Sequence, residues 1–243
     1  MKKAFALVLL LALTAGPAAA QDVLVRVKAH ADAMSVGGQS QPERDDVSEQ
    51  WYSTGRTAQN GRDSGFIVDL HKNVAYMINH RDRSYVAAPL PLDITKILPP
   101  EAQQMAPMLQ MTATVVPTAE RKTIGRWPCT AYDATLTVMG MPMTMRVWAS
   151  TEVPASLVEF AAKVMPAFLQ GQMRLTDESV REFTKIRGFQ IATELTAELM
   201  GARMRTTTET VEILETAAPA GTFEPPAGYT QRATLSLGDL QRR

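Results

Sequence analysis

The chain has 243 residues, of which 45% are hydrophobic, and it carries 25 basic and 25 acidic side chains. This balanced charge gives no electrostatic basis for binding nucleic acid or an anionic membrane surface. The length suffices for one well-buried core or two small ones, and a single cysteine, Cys129, excludes an internal disulfide.

The first twenty residues have the pattern of a secretory signal peptide. A short basic start, an apolar run at residues 4–14 and the small residues 18–20 follow one another. The apolar run is shorter than the ~20 residues that a membrane-spanning helix needs. We therefore expect cleavage after Ala20, so that residues 1–20 are a signal peptide, and we expect the mature protein to be located in the periplasm.

Alternation of apolar and polar residues predicts that most of the mature chain forms strands. In residues 23–29, for example, three valines alternate with Leu24, Arg26 and Lys28. Asn60–Gly61 is a turn signal, and we expect a turn at residues 140–142 to join the two strands of a long hairpin. The predicted strands are residues 23–30, 47–54, 66–70, 74–78, 84–86, 112–117, 130–138, 143–150, 189–199 and 204–214.

Helical spacing appears in three parts of the chain. Pro99 and Pro100 separate two short predicted helices, of which the second covers residues 101–110. A proline opens a predicted helix at residues 154–169, and another is predicted at residues 177–186, with its first residue as the N-cap.

The order of these elements predicts the fold class. Consecutive hairpins imply an antiparallel sheet, and helices grouped against one face of such a sheet give an α+β fold. No internal repeat or linker is visible, so we predict a single domain at residues 21–230. The end of the chain is rich in Pro, Gly and Ala, and we expect a weakly ordered tail at residues 231–243.

Each predicted strand has an apolar and a polar side, and the apolar sides together define a candidate ligand-binding surface. In the hairpin at residues 130–150, for instance, Leu136 and Met143 fall on the apolar side, and Asp133 falls on the polar side. The candidate residues for contact with an apolar ligand are Phe66, Val68, Tyr76, Ile78, Tyr132, Leu136, Val138, Met141, Met143, Met145, Phe189, Ile191 and Leu195.

Four methionines occupy alternate positions between residues 139 and 145. Methionine is flexible and polarizable, so such a row suits the wall of an adaptable pocket, and it equally suits an ordinary core. Thioethers also bind Cu(I). However, alternate residues of a strand are about 6.8 Å apart, too far for neighbouring thioethers to share an ion without a turn. Pocket wall and filled core are therefore the favoured interpretations, with copper third.

The sequence contains none of the common patterns of catalytic or metal-binding residues. His30, His71 and His80 are not spaced as paired metal ligands. There is no Gly-x-Ser-x-Gly elbow, no phosphate-binding glycine loop and no local Cys–His pair. We therefore predict a protein that is not an enzyme and has no metal site and no cofactor.

Two segments, GFIVDLHKNVAYMINHRDRSY (residues 65–85) and IGRWPCTAYDATLTVMGMPMTMRVWAS (residues 124–150), resemble the LolA/LolB-like superfamily of periplasmic proteins. The later GTFEPPAGY (residues 221–229) is similar to the Phe-x-x-Pro-x-Gly-Tyr closing segment of many such chains. The chain looks closest to an uncharacterised bacterial branch of this superfamily. The resemblance implies a curved antiparallel half-barrel with helices covering a concave apolar face.

Known members of this superfamily carry the acyl chains of lipoproteins across the periplasm, and others bind lipid. No residue here matches the polar residues that lock the carriers' lid, and the chain has no lipid-anchor cysteine after the signal peptide. We therefore expect a non-catalytic protein that binds a lipid or acyl chain, with a lipid or lipid-modified protein as partner, in envelope lipid or lipoprotein handling. The alternative is an envelope interaction protein with a filled core, and a methionine-based copper binder is less favoured.

Overall fold

The computed structural model describes residues 22–36, 39–103, 110–173, 175–199 and 201–236. The predicted signal peptide lies outside these residues. The described strands are β1 (Val23–Ala31), β2 (Met34–Val36), β3 (Gln39–Gln41), β4 (Arg44–Ser53), β5 (Arg56–Asn60), β6 (Ser64–Asp69), β7 (Val74–Asn79), β8 (Ser84–Pro89), β9 (Met111–Ile124), β10 (Trp127–Val138), β11 (Met141–Ser150), β12 (Phe189–Leu199), β13 (Ala202–Glu215) and β14 (Thr230–Arg232). The described helical elements are a 3-10 turn (Ile94–Ile97), α1 (Pro100–Gln103), α2 (Ala155–Glu159), a π turn (Phe160–Val164), α3 (Met165–Met173) and α4 (Asp177–Phe183).

Twelve of the strands form one sheet in the order β14-β8-β7-β6-β5-β4-β1-β13-β12-β11-β10-β9, and β2 pairs with β3 separately. Strand β1 lies between β4 and β13, so it joins the two runs of consecutive hairpins. Every pair in the large sheet is antiparallel except β14 with β8, which is parallel. The predicted α+β class is confirmed, because a mainly antiparallel sheet is combined with a few helices.

The helices pack against one side of the sheet, which we call the helix-facing side. One hydrophobic cluster joins Val25 and Val68 of the sheet to Leu157 of α2 and Phe160 of the π turn. A second cluster joins β10 and β11 to Leu169 of α3 and to α4. Burying a large apolar side chain of this kind contributes about 1.5–3 kcal/mol relative to leaving it exposed, so these contacts hold the helices on this side.

The opposite side of the sheet is also covered, in part, by residues near the end of the chain. A third cluster contains Ile67, Ile78 and Phe223, with Tyr76 and Tyr229 packed against it. Tyr76 and Ile78 were predicted to share a face with Phe66 and Val68, and that assignment is wrong. Both lie on the side away from the helices.

The register of the β6–β7 hairpin explains this error. Four residues separate β6 from β7, and the resulting register pairs Phe66 with Met77 and Ile67 with Tyr76. Paired residues of antiparallel strands point to the same face, so Met77 shares the side of Phe66. Both sides of β7 are apolar, so its sequence does not show which side faces the helices.

Two other local predictions differ from the structure. The turn of the β10–β11 hairpin consists of Met139 and Gly140, with φ of 51° and 76°, whereas it was predicted at residues 140–142. Positive φ at both central residues is the requirement of the two-residue turn whose twist suits a hairpin. In addition, β5 was not among the predicted strands, although its residues Thr57 and Ala58 are buried.

The chain end is more ordered than predicted for the residues described there. Thr230–Arg232 form β14 on the edge of the sheet beside β8. Leu235 is buried, and its backbone N–H donates to the carbonyl of Ile97 at 2.8 Å. The prediction of a weakly ordered tail from residue 231 is therefore wrong for residues 231–236, and residues 237–243 lie outside the described part of the chain.

Helix α4 protects the exposed edge of β9. The N-cap of α4 is Thr176, one residue before the predicted Asp177. The backbone N–H of Ala113 donates to the Ser179 hydroxyl at 2.8 Å, and that of Val115 donates to Glu182 Oε2 at 2.9 Å. An edge strand exposes unpaired backbone groups that favour association with other chains, and here side chains of α4 satisfy part of that edge.

We expect Glu182→Gln to reduce stability at neutral pH and to have little effect in acid. The pKa of Glu182 lies below its usual value of 4.5, mainly because of the hydrogen bond from Lys185 and secondly because of the hydrogen bond from the backbone N–H of Val115. A lowered pKa contributes stability above the unfolded-state pKa, and this contribution is lost as the pH falls through the folded-state pKa.

Urea denaturation of both proteins over a range of pH measures this effect. Ser179→Ala is the control. It removes a hydrogen bond to a hydroxyl that does not ionise, so it should lower the stability by about 1 kcal/mol at every pH. A Glu182→Gln deficit that is constant down to acidic pH would contradict the assignment.

Candidate ligand-binding cavity

A cavity of about 260 Å³ lies between the helix-facing side of the sheet and the helices. Its wall combines strands β1, β4, β5, β11, β12 and β13 with the π turn, α3 and α4. The lining residues are Val27, Gln50, Tyr52, Gln59, Met145, Phe160, Met165, Phe168, Leu169, Phe183, Phe189, Gln190, Ile191, Thr193, Thr208 and Thr210.

The helical part of the wall is entirely apolar and rich in aromatic rings. The ring of Phe160 lies 4.6 Å from that of Tyr52 and 6.3 Å from that of Phe189, with edge-to-face geometry. Phe168 makes a similar contact with Phe66 at 5.4 Å. Such pairs add about 0.5–1.5 kcal/mol beyond their area burial, so they position the helices over the sheet.

The strand part of the wall contains uncharged polar groups. The Tyr52 hydroxyl donates to Gln50 Oε1 at 2.5 Å, and the hydroxyls of Thr193 and Thr208 are 2.6 Å apart. Burial raises the pKa of Tyr52 well above its ordinary value of 10, so its hydroxyl is neutral at physiological pH. The wall of the cavity is therefore apolar on the helix side, whereas the sheet side combines apolar side chains with hydrogen-bonding groups.

Among the predicted ligand-binding residues, Met145, Phe189 and Ile191 line this cavity. The other ten do not. Six of them belong to hydrophobic clusters on the same side of the sheet: Phe66 and Val68 to the first cluster, and Tyr132, Leu136, Met143 and Leu195 to the second. Near the hairpin turn, Val138 is half-buried and Met141 is 41% exposed. Tyr76 and Ile78 lie on the opposite side of the sheet.

The polar lining residues were missed in the sequence. Gln50, Gln59, Thr208 and Thr210 were not considered because polar residues of a strand are usually assigned to its solvent-facing side. The available signal was the alternation in β4 and β13, where polar residues alternate with charged ones such as Glu49 and Glu209. Only the pairing of β1 with both β4 and β13 shows that these polar positions face the helices.

The methionine row does not have one common environment. Met139 and Met141 are 56% and 41% exposed, whereas Met143 and Met145 pack against the second cluster. Within the described part of the chain, no group of three or more His, Cys, Asp or Glu residues is placed to hold a metal ion. Cys129 is buried, its thiol donates to the Trp127 carbonyl at 3.3 Å, and burial raises its pKa.

Asp133, predicted on the polar side of its strand, and other carboxylates on that side form ion pairs. Arg146 donates to both oxygens of Asp133, at 2.8 and 3.0 Å, and to Glu120 at 2.7 Å. Arg205 pairs with Glu194 at 2.8 Å. The Arg146 guanidinium lowers the pKa of Asp133. The residues of this charged side do not line the cavity.

A larger open depression of about 830 Å³ lies beside the 3-10 turn. Its wall includes Gln103 and Gln110, which flank residues 104–109, outside the described part of the chain. The smaller cavity is bounded by described residues, and so it is the candidate site.

Thr57→Val is expected to stabilise the protein by about 1 kcal/mol, because it removes a buried hydroxyl without a partner. Thr57 is fully buried beside Tyr52, and its Oγ1 has no hydrogen-bond partner among the described residues. Urea denaturation checks the change. Thr57→Ala is the control, since it removes the same hydroxyl together with a methyl group and should not stabilise. A less stable Val variant would show that the hydroxyl has a partner in solution.

No protein-family model matches the chain, and no curated protein matches it. Among solved structures, the chain is similar to an uncharacterised conserved protein from Thermus thermophilus, with 5% sequence identity and a TM-score of 0.40. That similarity covers 88% of this chain and 90% of the other chain. At this identity and TM-score, the similarity identifies neither a family nor a function for the chain. Within the described residues, no helix has both the length and the apolar character needed to cross a membrane.

Proposed function

We propose that this protein is a non-catalytic periplasmic protein of the LolA/LolB-like superfamily, and that it binds a lipid or acyl chain between a half-barrel sheet and a helical lid. The observation that carries the proposal is the cavity lined by Phe160, Phe168, Met165 and the sheet. Ligand sites are typically concave and mostly apolar, with a few polar groups that orient the ligand. The resemblance of residues 65–85 and 124–150 to this superfamily supports the same role.

Binding would draw its free energy from removing the ligand's chain from water. Each buried methylene contributes about 0.8 kcal/mol. The cavity of about 260 Å³ is slightly smaller than the ~300–1,000 Å³ usual for ligand pockets. It therefore suits a short chain as it stands, and a longer acyl chain would require α3 to move away from the sheet.

A pair of variants tests this role. Thr208→Leu places extra apolar volume into the cavity, whereas Thr207→Leu places it on the other side of β13, beside Glu194. We expect the hydrocarbon fluorophore diphenylhexatriene to bind the wild type and Thr207→Leu alike, and to bind Thr208→Leu at least about tenfold more weakly, because overpacking excludes the ligand. A fluorescence titration of the full chain measures the three affinities.

Equal affinity of the two variants would reject this cavity as the site, and no binding to any of them would reject the proposed function. A non-denaturing mass spectrum of the protein purified without detergent gives an independent test. A lipid-sized adduct is the expected result. A bare chain mass would favour the envelope interaction protein with a filled core, and a copper-sized increment would favour the methionine site.

A further inference from the structure

The two parts of the cavity wall offer different chemistry to a ligand. The π turn, α3 and α4 contribute only apolar side chains, whereas β4, β5, β12 and β13 contribute amides and hydroxyls. We call the latter the polar patch and define it by Gln50, Gln59, Gln190, Thr193, Thr208 and Thr210. A ligand that consisted only of hydrocarbon would leave these groups without hydrogen-bond partners, and burying polar groups in that way costs free energy.

The lining residues of this cavity carry no formal charge. None of them is Asp, Glu, Lys, Arg or His. The titratable lining residue, Tyr52, is neutral at physiological pH, since its ordinary pKa of 10 is raised further by burial. An anionic or cationic headgroup here would be removed from water without an opposite charge beside it, which is strongly unfavourable.

The polar patch keeps hydrogen-bonding capacity beyond its internal contacts. Gln50 accepts from Tyr52 through its carbonyl oxygen, which leaves the two N–H groups of its amide for another acceptor. Thr193 and Thr208 share one hydrogen bond, which leaves one hydroxyl hydrogen and further lone pairs on this pair. The patch can therefore both donate to and accept from a small polar group.

We propose that the ligand is an amphiphile with one hydrocarbon chain and an uncharged hydrogen-bonding end, such as an alcohol, amide or ester, and that the polar patch holds this end. The chain lies against Phe160 and Phe168. This inference rests on the proposed function and names its ligand class. It excludes free fatty acid anions as the preferred ligand.

Competition among ligands of equal chain length tests the charge selectivity. At neutral pH, 1-octanol, octanamide and octanoate are used to displace diphenylhexatriene from the full chain. We expect 1-octanol and octanamide to bind at least about tenfold more tightly than octanoate, because only the carboxylate must lose its hydration without a counter-charge.

A double variant tests the polar patch itself. Thr193→Val together with Thr208→Val removes both hydroxyls of one hydrogen-bonded pair while keeping their shape, a change that is close to neutral for folding. We expect the affinity of this variant for 1-octanol, relative to its affinity for diphenylhexatriene, to fall about fivefold from the wild-type ratio, because only 1-octanol loses hydrogen bonds. Thr207→Val, on the other side of β13, is the control and should change neither affinity.

The results separate this inference from the proposed function. Octanoate that binds as tightly as 1-octanol overturns the neutral-headgroup inference and leaves apolar binding in place. The same holds for a double variant whose affinity for 1-octanol, relative to diphenylhexatriene, is unchanged. If diphenylhexatriene binds and neither 1-octanol nor octanamide displaces it, the inference is also overturned. If the fluorophore itself fails to bind, the inference and the proposed function fall together.

Discussion

Gly188→Ala is expected to destabilise the protein by more than about 3 kcal/mol, because it combines backbone strain with a backbone clash. Gly188 precedes β12 and has φ of +93°, which side chains rarely adopt. A Cβ atom added there would lie 2.3 Å from the carbonyl oxygen of Ser150 and 2.9 Å from the backbone nitrogen of Thr151. Neither neighbour is a flexible side-chain end, so β11 and β12 would have to separate at the point where Phe189 enters the cavity wall.

Gly140→Ala is the matched control for this substitution. Gly140 also has a positive φ, of +76°, but an added Cβ would meet nothing within 4 Å. We expect this variant to lose about 1–2 kcal/mol of stability, which is the conformational cost of placing a non-glycine residue in the left-handed region. Thermal or urea denaturation of both variants measures the difference. Equal losses would show that the Ser150 backbone yields easily, contrary to the expected clash.

Phe160→Ala is expected to cost about 3–5 kcal/mol, because a large buried ring is replaced by a cavity. Phe160 is 2% exposed in the π turn, and its ring contacts those of Tyr52 and Phe189. Since a domain is stable by only about 5–15 kcal/mol, the variant should unfold at a much lower urea concentration.

Val158→Ala, in the adjoining α2, is the control for Phe160→Ala. Val158 is 41% exposed, and surface substitutions usually change stability by less than about 0.5 kcal/mol. Comparable losses for the two variants would mean that the helical segment does not pack on the sheet through Phe160. The proposed lid would then have to be anchored by other residues.

The long hairpin shows how far local pattern predicts this fold. Leu136 pairs with Met143, and Asp133 pairs with Arg146, on the two sides that alternation predicts. The prediction holds here because each strand has one apolar and one polar side, so a slip of one residue would expose its apolar side chains. The same pattern predicts part of the cavity wall, at Met145, Phe189 and Ile191.

Local pattern fails where both sides of a strand are buried or where the burying element is distant in sequence. Tyr76 and Ile78 pack on the side away from the helices, because residues such as Phe223, more than a hundred positions later, cover that side. β5 is polar in composition, yet Ala58 is fully buried because the same distant residues pack over it. No local periodicity contains this information, since it depends on where a remote segment docks.

The longer strands, their hairpin order and the polar faces of β10 and β11 follow from the sequence alone, because they depend on residues close to one another in the chain. The cavity depends instead on the pairing of β1 with both β4 and β13 and on helices that pack across that junction. These contacts bring Gln50, Phe160 and Thr208 into one wall, although they are far apart in the sequence. Tertiary structure alone decides such a site, because hydrophobic burial is non-directional and does not specify which distant surfaces meet.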